Sequence, residues 1–382
     1  MVEKLLDVCD FQGGTQPPKD EWVSEPKDGY IRMLQIRDYT QGDEKFIEYV
    51  LDNGKLHKCT EEDIMLSRYG YIGQAFTGLA GAYNVALVKV IKKKPVHNPY
   101  LLYYFKSGYF QHHLLDNVGA RATIPGFNKS ELKNAVINIP NQEKQESISD
   151  KLRRIEGIIA LRQQELQKFE KLIKARFVEM FGTYPGNEKG WDTGTVRDLV
   201  TEVRYGSSRK AADGDSGKYP YLRMNNITYG GELDLTDTKT IDVPDEELDK
   251  CTVRRGDLLF NRTNSKELVG KTCVYNRDEM MVLAGFVVRV RLNDRALPEF
   301  VSVFLNTDFS KQMLLNMCKA AIGQANINAQ ELQNIGIYIP PIDLQKEFVS
   351  FKAQVDKSKV AVQASLDKAK LLFDSLMQEY FG

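Results

Sequence analysis

The chain has 382 residues, with 52 lysines and arginines against 52 aspartates and glutamates, and 42% of it is hydrophobic. That length makes two or more domains, and a net charge of zero excludes a simple basic coat for nucleic acid, though not a local basic groove. Five scattered cysteines (Cys9, Cys59, Cys251, Cys273, Cys318) without a Cys-x-x-Cys pair fit a reducing cytosol and no structural zinc. The absence of both a signal-like start and an 18-residue apolar run predicts a cytoplasmic chain.

In chain order, Tyr30 to Ile36 and Asn84 to Ile91 read as strands, being rich in β-branched and aromatic residues. Gly70-Tyr71-Ile72-Gly73 and Gly78-Leu79-Ala80-Gly81 read as turns, and Tyr100 to Leu115 reads as one helix. Residues 142 to 180 differ in kind. Ile148, Leu152, Ile155, Ile159, Leu166, Phe169, Ile173, Phe177 and Met180 recur at spacings of three and four, with Arg162 in the slot that breaks the series. Pro140 ends the preceding element, and Gly182 closes the helix. Further on, Tyr219 to Ile227 and Phe286 to Leu292 read as strands and Pro298 to Asn316 as a helix. The chain ends on a second stripe of Phe348, Val355, Val362, Leu366, Ala369, Phe373, Leu376 and Tyr380, interrupted by Lys352 and Lys359.

The second half repeats the first. Glu131-Leu132-Lys133-Asn134 and Ile137-Asn138-Ile139-Pro140 read against Glu331-Leu332-Gln333-Asn334 and Ile337-Tyr338-Ile339-Pro340; Gln145 matches Gln345, and Phe181-Gly182 matches Phe381-Gly382. With small gaps, Asp63 to Arg68 answers to Asp257 to Arg262, Pro99 to Phe110 to Pro298 to Phe309, Gly14-Thr15 to Gly206-Ser207, and Tyr30 to Ile36 to Tyr221 to Ile227. A repeat this long is a duplicated module, not a solenoid unit. The expected architecture is α+β: two pseudo-symmetric mixed recognition domains, residues 1–140 and 183–340, separated by two long helices, residues 141–182 and 341–382. A polar helix of about 38 residues, about 57 Å long, is not stable alone, so the helices are expected to bury each other as an antiparallel coiled coil. Its packing residues are Ile148, Leu152, Ile155, Leu166, Phe169, Ile173, Phe348, Val355, Val362, Leu366 and Phe373.

No catalytic motif stands out. The nearest strings to a methyltransferase tetrad, Asn98-Pro99-Tyr100 and Ile339-Pro340-Pro341-Ile342, do not fit it. Pro244-Asp245 lacks the Glu-x-Lys of a nuclease, Gly13-Gly14-Thr15 lacks the end of a phosphate loop, and His57, His97, His112 and His113 have no metal-ligand spacing. No cofactor or metal is expected. What remains is recognition chemistry: Arg, Lys, Asn, Gln and Tyr gathered in polar segments, the types that meet base edges and phosphates. The DNA-binding candidates are Arg37, Arg68, Tyr69, Gln74, Arg121, Arg204, Tyr205, Arg209, Lys210, Asn261, Arg262, Asn264, Lys266 and Gln324. Near-twofold symmetry suits duplex DNA as the ligand. Arg32 and Arg223, recurring in one strand motif, suggest a shared structural role.

The duplicated Glu-Leu-x-Asn-x-x-Ile-x-Ile-Pro stretches, Gln145 and Gln345, the heptad helices and the two terminal Phe-Gly pairs resemble the specificity subunits of type I restriction–modification systems. The resemblance covers essentially the whole chain. It departs after the first Ile-Pro, where the chain reads Pro140-Asn141-Gln142-Glu143-Lys144-Gln145, and at Trp191, which has no counterpart near Met1. It implies a subunit without chemistry of its own, in which each domain reads half of an interrupted DNA site. The helices set the spacer and dock two methyltransferase subunits, and restriction subunits join later. The competing reading is a non-catalytic dumbbell-shaped scaffold bridging two protein partners.

Overall fold

The computed structural model describes residues 1–42, 44–117, 126–212, 214, 216–321 and 324–382, with only the backbone at 319–321 and 324. The chain forms two units, Met1–Gln163 with Ala364–Gly382, and Gln164–Gln363.

Both units carry the same two four-stranded sheets in the same order; among the described residues the second unit has in addition a three-stranded one, Thr263–Asn264, Gln324–Asn326 and Lys319–Ala321. In the first, Cys9–Gly13 pairs with Leu87–Lys92, which pairs with Met65–Ser67 and that with Ala75–Phe76. In the second, Val200–Tyr205 pairs with Val287–Leu292, then Leu258–Asn261, then Thr272–Val274. A second sheet in each unit has one parallel pair at its centre: Tyr30–Leu34 beside Gly81–Tyr83, and Tyr219–Leu222 beside Met281–Leu283. The Ile-Pro repeat is a strand in both units, Val136–Asn138 on Val2–Lys4 and Gly336–Ile339 on Asp192–Thr195, each antiparallel.

The hydrogen bonds fix which residues are equivalent. Gly14 N bonds to Leu87 O and Gly206 N to Val287 O; Asn84 N bonds to Leu34 O and Ala284 N to Leu222 O. A Cβ on Gly14 would lie 2.1 Å from Asn84 O, and one on Gly206 would lie 2.3 Å from Ala284 O, so both crossings require glycine. Leu34 therefore corresponds to Leu222 and Gln35 to Arg223. This corrects the sequence match of Tyr30–Ile36 with Tyr221–Ile227, which is three residues out of register. Arg32 and Arg223 are not equivalent, although each is ion-paired, Arg32 to Asp38 and Arg223 to Asp237, both at 2.8 Å. In contrast, Asp63–Arg68 does overlie Asp257–Arg262: Arg68 N bonds to Ala86 O and Arg262 N to Phe286 O.

Each expected single helix is two. Asn98–Lys106 and Gly108–Asn117 break at Ser107, and Pro298–Asn306 and Asp308–Met317 break at Thr307. The cause is the buried hydroxyl. Ser107 Oγ donates to Tyr104 O and Thr307 Oγ1 to Phe304 O, both at 2.6 Å, and each also accepts from the backbone N–H three residues on. Such local side-chain bonds compete with the helical ladder and favour a fresh N-cap. The strand expected over Tyr219–Ile227 stops at Leu222, where Arg223 caps a short 3-10 turn, Met224–Asn226.

The long helices are Gln142–Phe181 and Ile342–Phe381. Within the first unit, the last turns of the second helix (Phe373, Leu376, Met377, Tyr380, Phe381) join Ile148 and Leu152 in one core with Tyr100, Leu101 and Tyr104. Within the second unit, Phe169, Ile173, Phe177, Met180 and Phe181 share a core with Phe348, Val355 and Phe300. In each unit the end of one helix meets the start of the other, so the pairing is antiparallel. The stripes do more than bury each other. Phe181 packs its ring 5.0 Å from Phe300, and Phe381 lies 5.0 Å from Tyr100, so the helix ends close the globular cores. Leu166 and Phe169 are half-buried, whereas Val362 and Leu366 are buried. At the charged break in the second stripe, Lys359 reaches Glu232 and lies 3.9 Å from Glu170.

Gln145 and Gln345, both buried, lock the start of each helix to its own unit. Gln145 Nε2 donates to Pro140 O (2.8 Å) and its Oε1 accepts from His97 N (3.0 Å). Gln345 repeats this with Pro340 O (2.8 Å) and Leu297 N (2.9 Å). Gly182 has φ 82°, the left-handed closure expected of a C′ glycine.

Candidate nucleic-acid interface

One hairpin in each unit gathers several of the polar candidates. In the first it runs from Ser67 through Arg68, Tyr69 and Gln74; in the second, from Asn261 through Arg262, Asn264 and Lys266. Its base is built alike in both. Gly73 N bonds to Ser67 O (2.7 Å) and Gly270 N to Asn261 O (2.8 Å), with φ of 79° and 77°. A Cβ at either glycine would run into a leucine of the adjacent helix, 2.5 Å from Leu114 or 2.7 Å from Leu314. That helix also holds the hairpin from the side: Gln111 Nε2 donates to Gly73 O (2.8 Å), and Lys311 Nζ to Gly270 O (3.2 Å).

On this base sit two equivalent arginines. Arg68 donates through Nε to Phe127 O (3.2 Å) and through Nη2 to Asn128 Oδ1, and its guanidinium lies 5.3 Å from the Tyr69 ring centre. Arg262 donates through Nε to Asn326 Oδ1 (3.3 Å) and lies 4.9 Å from the Tyr205 ring. Tyr205 is fixed in turn, its hydroxyl accepting from Ala329 N at 3.0 Å.

The other candidates separate by surroundings. Arg37 is ion-paired to Glu48 and packs on Phe46. Arg204 pairs with Glu202 at 3.0 Å. Arg209 grips Glu247 through two N–H groups at 2.7 and 3.1 Å, and that pairing holds the Glu247 carboxyl below the usual range. Lys210, Lys266 and Gln74 are exposed, and Asn264 is half-buried, its Oδ1 accepting from Ser265 N. Asn261 is not on the surface. It is fully buried, and its amide has no hydrogen-bond partner among the described residues; the equivalent Ser67 is bonded to Tyr71 O and Gln74 N. Arg121 lies outside the described residues, as does the side chain of Gln324.

Sequence reading missed the Gln111 and Lys311 clamps. It also missed Arg289, buried between the sheets and bonded to Thr252 O and Glu202, because a strand arginine carries no sign of its burial. Among the described residues no group of three or more His, Cys, Asp or Glu could hold a metal ion, and no helix is long and apolar enough to cross a membrane. Cys9 and Cys273 are buried, and burial pushes both thiols up to about 12.

The repeated sheets, paired helices and matched hairpins define the class: an internally duplicated α+β protein with a polar hairpin in each of its two modules. The family follows from comparison. The model of the type I restriction modification DNA specificity domain matches residues 1–171 and again 188–369, and the chain belongs to that family. It is 20% identical to the type I restriction enzyme EcoKI specificity subunit of Escherichia coli K12, over all of this chain and 88% of that one. It is 22% identical to the MjaVIII specificity subunit of Methanocaldococcus jannaschii, over 97% of this chain and 89% of the relative. A type I restriction-modification S subunit from M. genitalium has the same fold, with a TM-score of 0.58 at 13% identity, covering 100% of this chain and 96% of that one. So does a chain from a structure describing complex assembly and conformational transition of the type I R-M system, with a TM-score of 0.59 at 16% identity and coverage of 100% and 97%.

Proposed function

We propose that this chain is the DNA-reading subunit of a type I restriction–modification complex and catalyses nothing itself. The observation carrying this reading is the matched pair of polar hairpins on two copies of one fold, within a family of DNA specificity domains. Each recognition domain, residues 1–140 and 183–340, takes one half of a bipartite site in double-stranded DNA. The two domains share a scaffold but differ along the hairpin, which suits two different half-sites. Two methyltransferase subunits dock on the long helices and supply the chemistry, restriction subunits join them, and the complex works in the cytoplasm. In the second domain, Arg204, Arg209, Lys210, Asn264 and Lys266 are the candidate DNA-facing side chains beside Arg262; in the first, Arg37, Tyr69, Gln74 and Arg121 are those beside Arg68.

The direct test is a gel shift on mixed-sequence DNA with and without a co-expressed methyltransferase subunit, followed by methylome sequencing of a host carrying both. The expected result is one interrupted motif, methylated only when both genes are present. Methylation at a continuous, uninterrupted motif would end the two-half-site reading, and protein capture without any DNA shift would favour a scaffold.

The helices also act as a spacer in this proposal. Adding four residues, about one helical turn and about 6 Å, to both long helices, after Gln163 and after Gln363, should widen the unread spacer by about one or two base pairs, since duplex DNA rises about 3.4 Å per pair. The half-site sequences should stay the same because neither hairpin is altered. Changed half-sites with a fixed spacer would mean that the helices do not set the distance.

A further inference from the structure

We propose that Arg68 and Arg262 are equivalent phosphate anchors, one in each recognition domain, which grip the DNA backbone and read no base. The proposal rests on the DNA-reading function above and names the contact that the two domains share.

Three observations carry it. The first is charge. Arg37, Arg204 and Arg209 are each neutralised by a carboxylate, on Glu48, Glu202 and Glu247 respectively. Arg68 and Arg262 have no carboxylate partner among the described residues; every acceptor they use is a neutral carbonyl or amide oxygen. Nη1 of Arg68 and both Nη atoms of Arg262 make no hydrogen bond there, so each guanidinium keeps its full charge and spare donors. A guanidinium fork of this kind suits phosphate oxygens.

The second is preorganisation. Each arginine is held through Nε and stacked on a tyrosine, Tyr69 or Tyr205. Little side-chain freedom remains to be lost when a phosphate arrives.

The third is the composition of the segments to which they are bonded. The bonds from Arg68 go to Phe127 and Asn128, inside a stretch with no aspartate or glutamate from Asn117 to Ser130. Arg262 bonds to Asn326, and its carbonyl accepts from Ile327 N, inside a stretch with none from Phe309 to Gln330. These are corresponding segments of the duplication. The tied segments therefore supply no carboxylate of their own, and the acids that follow them, Glu131 and Glu331, accept from Asn128 N and Asn328 N.

Equivalence itself decides between phosphate and base. Domains that read different half-sites must differ at the reading positions, whereas the phosphate spacing is the same everywhere. Base reading falls instead to positions where the hairpins differ, such as Gln74 and Lys266.

The test uses the assembled complex of the full chain with its methyltransferase subunits, binding a duplex that carries its methylated motif and a set of single-base variants of that duplex. If the unaltered complex shows no sequence-dependent binding, the DNA-reading function fails and this proposal falls with it. If it binds, Arg68→Ala and Arg262→Ala should each weaken binding about fivefold to tenfold on every duplex alike, leave the methylated motif unchanged, and lower the slope of log affinity against log salt by about 1. Arg68→Lys and Arg262→Lys, which keep the charge, should restore most of the affinity and the slope. Three results overturn it: unchanged binding, relaxed preference at one base position, or weaker binding with an unchanged salt slope and a lowered melting temperature. The last would mark both arginines as purely structural ties.

Discussion

Phe348→Ala should lower the stability of the second unit by about 3–5 kcal/mol, the cost of removing a fully buried aromatic ring from a core that relaxes only in part. Phe348 has no exposed surface. Its ring meets Phe177 at 5.2 Å and Phe181 at 5.6 Å, both edge-on, and those two rings meet Phe300 at 5.4 and 5.0 Å. One residue near the start of the second long helix thus joins the end of the first helix to the globular core. The measurement is urea denaturation followed by tryptophan fluorescence. The chain has two tryptophans. Trp191 reports on the right place, since its indole N–H donates to Phe181 O at 3.0 Å, so a Trp22→Phe background isolates it. Ile148 occupies the position of Phe348 in the first unit and is also buried. Ile148→Ala should leave the Trp191 transition in place. A Trp191 midpoint unmoved by Phe348→Ala would mean that the helix start contributes nothing to the second core.

The long helices, the duplication and the antiparallel pairing were legible because they rest on patterns that survive over many residues. A stripe with a period of three and four announces its buried face, and the Ile-Pro and Phe-Gly repeats mark the same joints twice. The strands were harder. Most run two to six residues, too short for alternation to fix a register, so Tyr30–Ile36 matches Tyr221–Ile227 only through a recurring Tyr-x-Arg-Met string that the backbone hydrogen bonds place three residues apart. The breaks at Ser107 and Thr307 are carried by a single hydroxyl each, inside apolar stretches that otherwise read as continuous helix. For the candidate interface, the sequence brought polar residue types forward but could not sort them. Arg209 and Arg262 look alike in a polar segment; only the fold sets Glu247 against one and neutral acceptors with a tyrosine ring against the other. Asn261 reads as a surface asparagine because it sits beside Arg262, but it ends a strand that is buried on both faces.

Lys311→Gln should stabilise the second unit at neutral pH and remove a rise in its stability that the unaltered chain shows between about pH 8 and pH 10.5. Lys311 holds the hairpin carbonyl of Gly270, packs on the Tyr229 ring at 5.3 Å, and is pushed down to about 8, chiefly by burial and further by Lys174 and Lys271. Lys174 is itself bound to Asp308 at 2.8 Å, and Lys271 Nζ donates to Met224 O at 2.9 Å. The direction follows from linkage. The folded chain releases this proton at about 8, whereas the unfolded chain keeps it to an ordinary lysine value near 10.5. Between those values the unfolded state binds more protons, so stability increases with pH; below pH 8 the whole cost of the buried charge is present. A tenfold change in proton affinity is worth about 1.4 kcal/mol, which puts that cost at about 3 kcal/mol. Gln111 shows that the clamp needs no charge, since its amide donates to Gly73 O and to Phe105 O, both at 2.8 Å. A glutamine at 311 should therefore keep the hairpin tied and lose the titration. Urea midpoints of both proteins, measured by Trp191 fluorescence from pH 7 to 10.5, give the difference directly, because other groups titrate alike in the two chains. The difference should favour the variant at pH 7 and shrink steadily above pH 8. A variant less stable than its parent at pH 7, with a constant gap up to pH 10.5, would show that the ammonium is an asset to the hairpin and not a strain on it.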